Sequence, residues 1–170
     1  MNIEVYSNNK LVFDGKTYPC AIGKSGVYVD HREGDWSSPA GCFALRRVFW
    51  RPDKGGRPQT VLETREIKTD DGWCDDSNCE SYNQLVKLPH KGSHENMSRP
   101  DDDLYDIVVE LGHNDDPVVP GMGSAIFIHV ARPAMTPTAG CVALKKSDLY
   151  EVLSKVTSKT QICIHTEPLT

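Results

Sequence analysis

The chain has 170 residues, enough apolar material for one hydrophobic core and too little for two, so one domain spanning 1–170 is expected. Hydrophobic residues at 38% and charged residues at 25% place it far from the composition of disordered chains. A formal net charge of -5, with Lys and Arg dispersed, argues against a nucleic-acid partner, and no apolar run reaches the length of a transmembrane segment.

In chain order, Ile3-Glu4-Val5-Tyr6 alternates apolar with polar residues and reads as a strand. Leu11-Val12-Phe13 and Thr17-Tyr18-Pro19-Cys20 follow as a hairpin, because Asp14-Gly15 supplies the positive φ values that a tight turn needs. A loop rich in Gly and Asp runs from Gly23 to Asp35, and Phe43 to Phe49 is the next strand. Residues 51 to 103 show little periodicity and many Pro, Gly, Asp and Asn, the composition of binding loops that wall a groove. Within them, Pro100-Asp101-Asp102-Asp103 reads as a solvated turn.

Two further strands are expected at Leu104–Val109 and Ala125–Val130, the second so continuously apolar that it belongs in the middle of a sheet. One helix is expected, with Ser147 as N-cap, Asp148 in its first turn and Leu149, Val152, Leu153 and Val156 on one face. Gln161 to His165 closes the chain as a strand.

Six cysteines, at 20, 42, 74, 79, 141 and 163, show no repeated spacing and are too few for a disulfide scaffold. Cys20, Cys42 and Cys163 sit in apolar strand patterns, where packing is the expected role. Cys74 and Cys79 followed by His90 and His94 come close to a two-cysteine, two-histidine zinc pattern. That stretch is short, lacks the apolar core that a finger packs round its metal and leads into no helix, so a loop without metal is the expectation and structural zinc the alternative; no organic cofactor is expected. Trp73, Cys74, Tyr82 and His94 are candidates for lining a groove, with Trp73 and Tyr82 alternatively anchoring the loop, and His31, His113 and His165 are expected to be surface or structural groups.

Cys141, in Thr138-Ala139-Gly140-Cys141-Val142, carries the strongest chemical signal. A nucleophilic thiol needs a base, access, and backbone N–H groups aimed at the oxyanion it creates. Gly140 lets the chain turn sharply, so that the amides of Ala139, Gly140 and Cys141 can converge on one oxygen. His129 ends the apolar strand, and a loop restricted by Pro133 and Pro137 leads back to Cys141. His94 is the rival base should His129 be buried in the core.

Ile126-Phe127-Ile128-His129 followed by Thr138-Ala139-Gly140-Cys141-Val142 resembles the L,D-transpeptidase catalytic domain (YkuD-like), in which an apolar strand ends in His and leads through a loop to Ser-x-Gly-Cys. Ser37-Ser38-Pro39-Ala40-Gly41-Cys42-Phe43 resembles the Thr-Pro-x-Gly-x-Phe turn in the first half of the same domain. The resemblance implies a mostly β domain, a β-sandwich or open barrel with one main C-terminal helix and long irregular loops. It also implies a thioacyl-enzyme on Cys141, His129 as its base, Thr138 in the serine position, and the peptide stems of peptidoglycan as substrate. An amine acceptor would make the enzyme a transpeptidase; water would make it an L,D-carboxypeptidase or amidase; a third reading is a wall-binding module without catalysis. Where the family usually has Arg, two positions after the cysteine, this chain has Ala143, and Arg132 is the expected substitute for the missing charge. The resemblance implies the periplasm or the cell-wall side, whereas Met1 to Val5 has no signal-peptide pattern and leaves the cytoplasm as the alternative.

Overall fold

A computed structural model describes residues 1–170. Its strands are β1 (Ile3–Tyr6), β2 (Lys10–Phe13), β3 (Lys16–Ala21), β4 (Val27–Tyr28), β5 (Ser38–Pro39), β6 (Gly41–Trp50), β7 (Glu63–Glu66), β8 (Asp71–Cys74), β9 (Leu85–Lys87), β10 (His94–Asn96), β11 (Ile107–Leu111), β12 (Phe127–Val130), β13 (Val142–Leu144) and β14 (Gln161–Ile164). The single helix α1 covers Lys146–Lys155. The protein is therefore mostly β with one helix, as its sequence predicts.

The largest sheet has the order β11-β12-β13-β3-β2-β1-β14-β6-β7, and β11 also pairs with β6, which closes the ring. Closure removes the free edges that an open sheet would expose. The ten-residue β6 makes it possible: it pairs with β14 and then β7 along one edge, and with β11 along the other. The Asp14-Gly15 turn forms as expected, with φ of 50° and 74°. Alternation along β1, β2, β11, β12 and β14 points Ile3, Val5, Leu11, Phe13, Val109, Ile128 and Ile162 into one core of 23 buried residues.

Helix α1 caps this core with Leu149, Val152 and Leu153, and burying each such side chain contributes roughly 1.5–3 kcal/mol. Ser147 is not its N-cap. The cap residue is Lys145, without a side-chain hydrogen bond, and Ser147 already lies within the first turn. Position comes from packing instead: Lys146 Nζ is held by the Asp106 carboxylate and the Lys54 carbonyl, each at 2.9 Å.

Strand β11 starts at Ile107 rather than Leu104, because Leu104 caps a turn whose amide is taken by Asp102, and Asp106 closes back on Asp103. Strand β12 starts at Phe127, since Ala125 adopts a φ of 55°. The irregular stretch 51–103 contains four short strands, three of which form the separate sheet β10-β8-β9. Around Trp73, Phe49, Phe127, Tyr105 and Met97 this sheet builds a second apolar cluster outside the barrel.

Cys42 and Cys163 do more than pack. They face each other across β6 and β14, with Cα atoms 4.0 Å apart, and form a disulfide. The bond spans 121 residues, and constraining so long a loop in the unfolded chain is worth typically about 2–4 kcal/mol. Denatured, unreduced protein should titrate the four free thiols of Cys20, Cys74, Cys79 and Cys141, rising to six on reduction. Replacing both bridge cysteines by Ala should lower stability by about 2–4 kcal/mol; six thiols before reduction would contradict the bridge.

Candidate functional site

Strands β12 and β13 run parallel, with Ile128 opposite Val142, His129 opposite Ala143 and Val130 opposite Leu144. Alternation then sorts the side chains. Ile128, Val130, Val142 and Leu144 enter the barrel core, while Phe127 and Cys141 join the outer cluster and His129 and Ala143 share their face. Cys141, one residue before β13, is thereby a diagonal neighbour of His129, and the small Ala143 leaves the space beside the imidazole open to a cavity that both line.

The turn before Cys141 is held by its own side chains. Thr138 Oγ1 donates to the Cys141 carbonyl (2.6 Å) and accepts the Gly140 amide (3.0 Å), while Ser38 Oγ donates to the Gly140 carbonyl (2.7 Å) and accepts the Gly23 amide (2.9 Å). The Ser38–Phe43 motif thus braces the Thr138–Val142 motif. Gly140 has a φ of 147°, and a Cβ there would stand 2.7 Å from the Ser37 carbonyl oxygen, so only glycine fits. Because Thr138 takes the Gly140 amide, that N–H is not a free oxyanion donor; the amides of Ala139 and Cys141 meet no protein acceptor.

The thiol donates to the Ala125 carbonyl (3.1 Å) and accepts the Phe127 amide (3.4 Å). Burial pushes its pKa up to about 12, with the Glu95 carboxylate adding to the rise and the Phe127 amide opposing it. Burial also lowers His129 to about 4. Its Nδ1 lies 2.9 Å from the Val130 carbonyl, which selects the tautomer protonated at Nδ1 and leaves Nε2 with a lone pair to accept a proton. At neutral pH the pair is thiol and imidazole rather than thiolate and imidazolium.

Tyr105 packs edge-on to His129 at 5.6 Å and donates its hydroxyl to Glu95. Burial raises the pKa of both Tyr105 and Glu95. Two cavities meet at Cys141. One, of about 240 Å³, is lined by His129, Arg99, Arg132, Thr138 and Ala143; the other, of about 210 Å³, by Glu33, Asp75 and Ser124, with Trp36, Glu95, Ala139 and Cys141 common to both. Arg99 is fixed by Asp102 and lies over the Tyr105 ring at 5.1 Å.

Of the sequence candidates, Cys141, His129, Ala139, Thr138 and Arg132 line these cavities. Trp73 and His94 do not. Trp73 is buried and donates from Nε1 to Asn83 Oδ1, which also accepts the Ala125 amide, so it supports the peptide that holds the thiol. His94 is exposed, beside His90 and the Gly92 carbonyl. His31 and Tyr82 are structural, bonded to Ser37 and Glu33 respectively. Sequence reading missed Trp36, Glu95, Arg99 and Tyr105; the first three come from stretches without periodicity, and Trp36, with φ of 62° and half its surface exposed, was the one signal among them.

The site is thus a thiol and an imidazole on the outer face of a closed β-barrel, His129 on β12 and Cys141 just before the parallel β13. The chain belongs to the L,D-transpeptidase catalytic domain (YkuD) family, whose model matches residues 1–164. No curated protein matches it.

The electrostatics set a pH dependence for the free protein. With the thiol raised to about 12 and the imidazole lowered to about 4, thiolate at Cys141 grows with pH throughout the neutral range. Iodoacetamide alkylation of Cys141 should therefore accelerate about tenfold per pH unit between roughly pH 6 and 9. A rate that is flat over that range would show a preformed ion pair.

Proposed function

We propose that the protein is a cysteine-dependent acyltransferase acting on the peptide stems of peptidoglycan, an L,D-transpeptidase with Cys141 as nucleophile and His129 as base. The observation that carries this reading is the shared face: in a chain of this family, thiol and imidazole open on one cleft from neighbouring strands. Since the pair is neutral at rest, proton transfer accompanies attack. The thiol proton passes to His129 Nε2 as the Sγ–C bond forms, and the amides of Ala139 and Cys141 receive the oxyanion. Collapse breaks the C–N bond, the departing amine takes the proton from His129, and a thioester remains. An acceptor amine then attacks the thioester and passes a proton to His129; the C–S bond breaks, the product amide leaves, and His129 returns the proton to Sγ to restore the thiol. No cofactor enters any step.

Charge on the cleft walls favours transfer over hydrolysis. Arg99 and Arg132 suit a donor carboxylate, whereas Glu33, Asp75 and Glu95 suit a cationic amine arriving from the other side of the sulfur. The Cys42–Cys163 disulfide supports an oxidising location, in keeping with the periplasm or cell wall.

Incubation with tetrapeptide-bearing muropeptides plus an acceptor amine should yield cross-linked product by mass; trimmed product alone would mean a carboxypeptidase or amidase. A carbapenem should add to Cys141 and fail on Cys141→Ala, and no adduct on the wild type would favour a binding module. His129→Ala should reduce turnover by about 10²–10⁴-fold. Arg132→Ala should lower kcat/KM by roughly 10- to 100-fold if its guanidinium holds a substrate carboxylate, and unchanged kinetics would remove Arg132 from the site.

A further inference from the structure

The structure brings together three groups that the reaction does not use. Cys74 ends β8, Cys79 lies in the turn after it, and His90 lies between β9 and β10, yet their ligand atoms all fall within 4.8 Å of one another. Cys79 Sγ is 3.7 Å from His90 Nε2. In a tetrahedral zinc site, Zn–S and Zn–N bonds of about 2.3 and 2.0 Å put sulfur and nitrogen ligands about 3.6 Å apart and two sulfurs about 3.8 Å apart. We propose that Cys74, Cys79 and His90 bind one tetrahedral zinc ion, with water in the fourth position.

Two features on the page support this beyond the distances. First, the sequence objections fall away, because the β10-β8-β9 sheet and the buried Trp73 and Met97 supply the framework that the loop seemed to lack. Backbone hydrogen bonds between Cys74 and Gln84, Asn83 and Cys74, and Tyr82 and Cys79 hold the turn with both sulfurs turned to the same place. Second, Cys42 and Cys163 are oxidised while the adjacent Cys74 and Cys79 are free. Where one disulfide persists, two neighbouring thiols tend to form another, and coordination as thiolates protects them from it.

Zinc binding would release the protons of both thiols to solvent and leave His90 neutral at its bound nitrogen. The ion would tie β8 to the segment leading into β10, whose Glu95 forms part of both walls at Cys141. It would brace the cleft from behind and touch no substrate, so the proposal is independent of the acyl-transfer reading.

Untagged protein purified without chelator should contain one zinc per chain by elemental analysis, and cobalt exchange should give the visible bands of tetrahedral thiolate coordination. Cys79→Ser and His90→Ala, checked by circular dichroism to be folded, should lose the stoichiometric metal and the bands; Cys141→Ala should keep both. Chelation of the wild type should make two more thiols reactive and lower Tm. Folded protein that takes up neither metal, a Cys74–Cys79 disulfide in the peptide map, or cobalt bands that vanish with Cys141→Ala would overturn the proposal.

Discussion

The parallel pairing of β12 with β13, in the register that sets Ile128 against Val142, is the constraint on which the site depends. A slip of β13 by one residue would send Cys141 into the barrel and Val142 out to the cleft face, parting the thiol from His129. Hydrophobic burial forbids it: Ile128, Val130, Val142 and Leu144 are all essentially buried in the 23-residue core. The reactive pair is thus positioned by its neighbours, whose apolar side chains fix which face each strand turns outward. Bracing from Thr138 and Ser38 then holds the turn, so the sulfur meets the cleft at a defined place.

Burial also sets the charge state of Cys141 and His129. With little water to solvate charge, thiolate and imidazolium are both disfavoured, so the pair is neutral at rest. The nearby Glu95, itself raised by burial and bonded to Tyr105, deepens this preference rather than opposing it. Charged side chains share the cavities with the sulfur, Arg99 and Arg132 in one and Glu33 and Asp75 in the other, with Glu95 in both.

The stretch from 51 to 103 contributes more than loops. Its small sheet covers the outer apolar cluster, backs the cleft with Trp73 and Asn83, and delivers Glu95 to the reactive end. Buried Asp71, paired with Lys87 at 2.7 Å, marks how polar this region is inside. Strands as short as His94–Asn96, with no apolar alternation, exist because of their partners.

Local chemistry alone determined several features of this protein: the Asp14-Gly15 hairpin, the apolar β12, the amphipathic face of α1, and a glycine before Cys141. Each rests on a preference of neighbouring residues, which is legible without coordinates. The likeness of two short segments to the L,D-transpeptidase domain also singled out Cys141 and His129 as candidates. Tertiary structure decided the rest: that β6 closes the barrel, that Cys42 meets Cys163 across 121 residues, that Thr138 occupies the Gly140 amide, and that Trp36, Arg99 and Glu95 surround the sulfur while Trp73 and His94 do not. These are contacts between residues far apart in the chain, chosen by packing the whole core at once, and no local pattern encodes them.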